Sequence, residues 1–187
     1  MNGDVDIVPI GDVPVDAVVA FFDRVPDGDR TFFKEPVAGA ATVQAWTSGA
    51  PGGPASTRLV AVVGQGGERS VVGYAALIGG VGWSSHVSEL RLVVDPEHRR
   101  QGLGHRLAAA ALEVALGSGA TKVVVEAIAS QDATVGLFLQ LGFVAEAILE
   151  DHVRDANGGL HDLIVLAHRS ADTWSTLATV GLDAPLD

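Results

Sequence analysis

The chain contains no cysteine. That absence excludes disulfides, thiolate metal sites and a cysteine nucleophile, and it agrees with a reducing compartment. Aromatic residues make up only 5% of the 187 residues, with a single tyrosine, and charged residues 19%. Basic residues are scarce: 12 lysines and arginines stand against 23 acids, a formal net charge of −11. Generic DNA or RNA binding is therefore not expected, because it depends on basic patches that neutralise phosphates. An acidic surface favours a cationic partner such as an amine. Long apolar runs are also missing; Leu107–Leu112 is short and is followed by Glu113, so no membrane span is expected. Asp4 and Asp6 stand where a secretory signal would carry a basic segment, and a cytoplasmic location is the expectation.

What is present is enough apolar material for a core. Hydrophobic residues reach 48%, and a chain of this length forms one domain without needing staples. The reading is one domain over residues 1–170 and a tail over 171–187 with a short helix around Trp174.

The stretch Glu89–Leu116 organises the rest. Glu89–Val94 is nearly all leucine or valine and reads as a strand. Asp95-Pro96 is a turn, and Arg99-Arg100-Gln101-Gly102-Leu103-Gly104 is a basic glycine-containing loop. A helix follows with an apolar stripe at Leu103, Leu107, Ala110 or Ala111, and Val114, closed by Gly117 and Gly119. The first turn of a helix has N–H groups without intrahelical partners and carries the positive end of the helix dipole. Gly102 and Gly104 let a ligand approach those amides, and Arg99, Arg100 and His105 or Arg106 add positive charge. The combination suits phosphate or pyrophosphate. Read from residues alone, it can also be a plain strand-to-helix turn. It can equally be a variant dinucleotide fingerprint, with Leu107 where the third glycine belongs and Glu126 at the end of the next strand.

Elsewhere, Asp4–Ile10 reads as a strand, and a helix capped by Asp12 runs to about Arg24 with Val15, Val18, Val19 and Phe22 inward. Phe32 and Phe33 are either core or one wall of a binding site. Residues 37–48 read as a helix anchored by Val43 and Trp46, and Ser48–Ser56 as a loop. Arg58–Val63 and Val71–Ile78 form a hairpin. Lys122–Ala127 reads as a strand buried on both faces, parallel to Glu89–Val94 by the right-handed crossover rule. Asp132–Leu141 is a short helix, and Val144–Arg154 and Leu160–His168 flank an Asn157-Gly158 turn. The polar groups of that hairpin (Asp151, His152, Arg154, Asp155, His161 and Asp162) suit a solvent face. They also suit an acceptor grip or an auxiliary base at His152 or His161, more than a metal site.

The segment "LRLVVDPEHRRQGLGHRL" resembles the signature segment of the GNAT-type N-acetyltransferases, with Arg99–Gly104 fitting [Q/R]-x-x-G-x-[G/A]. "LFLQLGF" (Leu137–Phe143) is similar to the second landmark of that family. The resemblance implies a mixed α+β fold: a central, mostly antiparallel sheet of about six or seven strands flanked by helices, with 89–94 and 122–127 a splayed parallel pair. It implies acetyl transfer from acetyl-CoA to a primary amine without a metal, the pyrophosphate on the loop and the pantetheine arm against the backbone of Leu92, Val93 and Val94. It also allows a homodimer, and a non-catalytic acyl-CoA-binding module of the same fold.

The resemblance further implies two candidate bases. Relatives that acetylate protein N-termini use a glutamate matching Glu126, and histone-directed relatives one matching Glu89. Glu126 interrupts an apolar run, where burial would raise its pKa toward a useful range, and it is the favoured choice. The family tyrosine that protonates the leaving thiolate matches Phe138, which has no hydroxyl. The asparagine that contacts the pantetheine arm matches Gln131. The only tyrosine, Tyr74, lies on another strand.

Overall fold

The computed structural model describes residues 5–26, 29, 39–48, 56–64 and 69–170. Phe32, Phe33, most of the Ser48–Ser56 loop and the proposed helix at Trp174 lie outside them. The elements are β1 (Asp6–Pro9), α1 (Val15–Arg24), α2 (Gly39–Ser48), β2 (Ser56–Val63), β3 (Ser70–Gly79) and β4 (Val87–Val94). They continue with α3 (Leu103–Gly117), β5 (Lys122–Ile128), α4 (Asp132–Gln140), β6 (Val144–Arg154) and β7 (Leu160–Arg169). The strands form one sheet in the order β1-β2-β3-β4-β5-β7-β6. Every neighbouring pair is antiparallel except β4 and β5, which are parallel as a crossover through α3 requires.

Two cores flank the sheet. On one face Leu90, Val123, Val125 and Leu166 pack with Leu103, Leu107, Ala111 and Ala115 of α3 and with Phe138 and Phe143. On the other, Val18, Phe21 and Phe22 of α1 and Val43 of α2 meet Val60, Tyr74, Ala76 and Val93. Because side chains alternate along a strand, Leu90 and Val125 on the α3 face put Glu89, Arg91 and Glu126 on the opposite one. The amphipathic face of α3 comprises Leu103, Leu107, Ala108, Ala111, Leu112 and Ala115. Val114, expected in that stripe, is instead 36% exposed: it shares the direction of Leu103 and Leu107, but it lies in the last turn of α3, where Ala111, Leu112 and Ala115 are the buried residues.

Two other local expectations change, the Asp12 cap and the burial of β5. Asp12 lies in a 3-10 turn and Pro14 is the N-cap of α1, without a side-chain cap. Proline's fixed φ starts the helix without a capping carboxylate. The β6–β7 connection is residues 155–159, as expected from the strand bounds, with the Gly158 amide donating to the Asp155 carbonyl at 3.0 Å and Gly158 at φ 86°. Asp155 Oδ1 accepts from the amides of Asn157 and Gly159, at 2.8 and 2.9 Å, and Asp155 N–H donates to the Gly159 carbonyl. An aspartate that accepts from loop amides in this way fixes the turn. β5 alternates between buried and half-buried positions, so one of its faces is only partly covered.

Candidate active site

The parallel ladder between β4 and β5 is short: Val87↔Lys122, Ser88↔Val123 and Glu89↔Val124 pair, and nothing beyond. Past that point the two strands diverge. A cavity of about 1270 Å³ occupies the gap, walled by β4, the second half of β5, the glycine loop, the length of α4 and the end of β6.

Hydrogen-bond parity decides which main-chain groups face the gap. Asp95 N–H donates to Val72 O and Gly80 N–H to Val87 O, both between β4 and β3. Backbone groups of an antiparallel strand alternate in direction, so odd-numbered residues of β4 bond toward β3. His86 O, which accepts from Thr121 and Lys122 on the β5 side, confirms the even set. Leu92 and Val94 therefore turn their main chain toward the gap, whereas Val93 turns toward its partner Tyr74 in β3. Val94 O is already engaged by Arg99 Nε at 2.9 Å. On the gap side, Leu92 keeps both of its main-chain groups and Val94 its N–H.

The loop beyond β4 is fixed from below. Asp95, 5% exposed, accepts from Glu97 N–H at 3.0 Å and from Arg24 Nε at 3.3 Å. Arg100 and Gly102 both have positive φ, 58° and 78°. The first intrahelical bond of α3 is Arg106 N–H to Gly102 O at 3.0 Å. The amides of Leu103, Gly104 and His105 precede it and have no main-chain acceptor among the described residues. A Cβ on Gly102 would meet nothing within 4 Å, whereas one on Gly104 would lie 3.1 Å from Leu137 Cδ1 of α4. Gly104 thus serves the close approach of α3 to α4, and Gly102 serves the turn.

Most residues singled out from sequence do gather here. Arg99, Arg100, Gly102, Gly104, His105, Gln131 and Phe138 line the cavity with Leu92, Val93, Val94 and both glutamates. Gln101 and Leu103 do not. Gln101 Nε2 donates back to Glu97 O at 3.0 Å, and Leu103 is 4% exposed in the α3 core, so only its amide is on offer. Arg99 is less available for phosphate than its position suggests, because its guanidinium also pairs with Asp29. Arg100 carries no such partner among the described residues.

The candidate bases differ. Glu89 is gripped by Arg91 through two bonds, Nε to Oε1 at 3.1 Å and Nη2 to Oε2 at 3.2 Å. Glu126, half-buried, stands on the opposite wall with Val165 of β7 as its cross-strand neighbour. Phe138 is 1% exposed and packs edge-on against Phe143, centroids 5.2 Å apart. Tyr74 is buried in the other core, where its hydroxyl accepts from Arg58 Nε at 2.9 Å, so it does not replace a tyrosine at Phe138. Sequence reasoning missed Arg91 and Asp29 as site residues. The i, i+2 spacing of Glu89 and Arg91 on a strand was the available signal for the first.

In the β6–β7 loop, the His161 ring nitrogen 2.8 Å from Asp155 Oδ2 and the amide bonds described above hold the Asp155 carboxyl below the usual aspartate range. A depressed folded-state pKa means stabilisation that is present above the unfolded value and lost as pH falls through the folded one. Acidification below the ordinary aspartate range should therefore loosen this loop first. Amide exchange at Asn157 and Gly159 should accelerate before exchange in β5 or α3; uniform acceleration would contradict this.

The comparisons agree with the geometry. A GCN5-related N-acetyltransferase from Kribbella flavida superposes with a TM-score of 0.73 at 21% identity, over 89% of this chain and 98% of that one. A GNAT-family acetyltransferase from Streptococcus pneumoniae gives 0.72 at 18% identity, over 89% and 100%. A Salmonella typhimurium structure, described with its cofactor acetyl-CoA, gives 0.69 at 18%, over 88% and 93%. At these identities the likeness speaks for the fold. No curated protein matches the chain. The family model "Acetyltransferase (GNAT) family" matches residues 27–143, a span that holds β4, the glycine loop, α3, β5 and α4, and the chain belongs to that family.

Proposed function

We propose that this chain is an N-acetyltransferase that moves the acetyl group of acetyl-CoA to a primary amine by direct attack in a ternary complex, within a unit spanning residues 1–170. The observation that carries the reading is the open β4–β5 gap with unpartnered first-turn amides of α3 at its mouth. The pyrophosphate rests on the amides of Leu103, Gly104 and His105, with Arg100 beside them, where helix dipole and N–H groups favour an anion. The pantetheine arm enters the gap as a strand would, pairing with the main chain of Leu92. Gln131 and Phe138 border the arm.

Charge develops on the thioester oxygen in the transition state and needs a donor already in place. The Leu92 N–H, outside any ladder pair with β5, fills that role. The amine must lose its proton to expose a lone pair, and Glu126 is the base. Glu89 is the weaker candidate, because both of its oxygens accept from Arg91. The absence of cysteine, the most nucleophilic acyl carrier, supports direct attack. With Phe138 in place of a tyrosine, the thiolate leaves without a phenolic proton. The moderate pKa of a thiol permits this near neutrality.

The test is release of free CoA thiol from acetyl-CoA, with and without a mixed pool of primary amines. Amine-dependent thiol release with acetylated product in the mass spectrum is the expected result. Acetyl-CoA binding without amine-dependent release would favour a non-catalytic acyl-CoA-binding module instead.

A further inference from the structure

Two charged contacts tie the cofactor loop to α1 and to the chain just beyond it. Arg24, at the end of α1, donates to Asp95 through Nε at 3.3 Å and to the Val71 carbonyl through Nη2 at 2.8 Å. Asp95 is 5% exposed, so this contact is a permanent part of the fold. The second contact is of another kind. Asp29, whose N–H donates to Pro26 O at 2.9 Å, takes Nη2 of Arg99. The side chains of Asp29 and Arg99 are 33% and 41% exposed, and both residues line the cavity between β4 and β5.

Arg99 is anchored at the edge of the gap, because its Nε donates to Val94 O at 2.9 Å. It opens the loop that leads into the unpartnered amides of α3. Among the described residues Asp29 makes no other ion pair, and Arg99 has no other carboxylate. The free protein therefore keeps an anion of its own on the first cation of the phosphate loop. Half-exposed pairs of this sort contribute little, since water screens them. A diphosphate carries more charge and can take an arginine fork bidentately. It also meets the Asp29 carboxylate as a like charge. The pair is thus suited to exchange, as the buried Arg24–Asp95 contact is not.

We propose that Asp29 is an internal competitor for the cofactor: it occupies Arg99 in the empty site, and the pyrophosphate of acetyl-CoA displaces it on binding. This rests on the acetyltransferase reading above. Asp29 then weakens cofactor binding from within the site. CoA carries the same pyrophosphate, so the returning carboxylate also eases release of the product.

A double-mutant cycle read by calorimetry tests this, with acetyl-CoA and CoA titrated into wild type, Asp29→Asn, Arg99→Ala and the double variant. Asp29→Asn should bind both ligands about threefold more tightly or better, the scale of one exposed ion pair. Arg99→Ala should cost at least about threefold more affinity in the Asp29→Asn background than in wild type. Only in that background is the guanidinium free before the ligand arrives. Asp132→Asn is the control. Asp132 lines the same cavity and makes no ion pair among the described residues. Removing it lowers the negative charge without freeing Arg99, so the cost of Arg99→Ala should not change there. Weaker binding in Asp29→Asn overturns the proposal and makes Asp29 a support that aims Arg99. An equal cost of Arg99→Ala with and without Asp29 overturns it too, and leaves Asp29 a bystander. If none of the proteins binds acetyl-CoA, the acetyltransferase reading falls, and inorganic pyrophosphate titrated into the same four proteins decides the competition. The same coupling then supports it, and additive effects overturn it.

Discussion

Glu126→Gln should lower kcat by roughly 10²–10⁴-fold, the usual contribution of a positioned general base, with the affinity for acetyl-CoA unchanged. The amide is isosteric and still hydrogen-bonds, so the half-buried position on β5 is kept. Only the ability to take a proton from the ammonium is lost. A base acts on the step that makes the nucleophile, so the loss should fall on kcat and kcat/KM together. Glu89→Gln is the matched control. It disturbs a carboxylate already bonded twice to Arg91, and it should cost far less. The reverse ranking, with Glu89→Gln the more damaging, would move the base to the other wall of the gap.

Gly102→Trp should abolish measurable acetyl-CoA binding, a loss of at least about 100-fold given that the pyrophosphate relies on several charge-assisted bonds to the same amides. Space on the protein side does not oppose the substitution, since a Cβ there meets nothing within 4 Å. The indole therefore projects into the room a ligand would use. What the change does cost is backbone: φ is 78° at this residue, and any L-residue there loses about 1–2 kcal/mol. Gly102→Ala carries the same backbone penalty without the bulk, so it separates the two effects. Both variants should melt a few degrees early and alike. The alanine variant should retain most of its affinity and the tryptophan variant should not. Equal affinity in all three proteins would mean that the loop amides do not hold the cofactor.

Much of this arrangement is legible before folding, and the reasons are local. Strand β4, the glycine loop and α3 announce themselves through periodicity and glycine placement within one continuous stretch. The right-handed crossover rule then makes β5 parallel to β4, as the ladder confirms. The depth of the splay is different. The ladder stops at Glu89↔Val124, and no proline or glycine in either strand marks the stop. Main-chain parity is equally silent in side-chain identity, so Leu92, Val93 and Val94 look equivalent in the sequence. Only the bonds of Asp95 and His86 separate them.

Long-range contacts account for the other differences. Arg99 reads as a phosphate ligand, but Asp29, seventy positions away, shares its guanidinium. The bulge of β6 between Leu149 and Val153 needs Asp162 on the neighbouring strand to hold Asp151 in its left-handed conformation. The hairpin reads as a solvent face or an acceptor grip, and His152 and Arg154 are exposed while also bordering the cavity. Val114 shows the limit on a smaller scale. A valine at helical spacing reads as core, yet in the last turn of α3 the buried residues are Ala111, Leu112 and Ala115.

The account stands on the claim that the gap between β4 and β5, with the first turn of α3 at its mouth, is an acyl-CoA site. Calorimetric titration of acetyl-CoA into the wild-type protein, with NAD and ATP as controls, tests that claim most directly. Micromolar binding of acetyl-CoA at one site per chain, with no comparable heat from the two nucleotides, is the predicted result. Folded protein that ignores acetyl-CoA, or that takes NAD or ATP as readily, would contradict it.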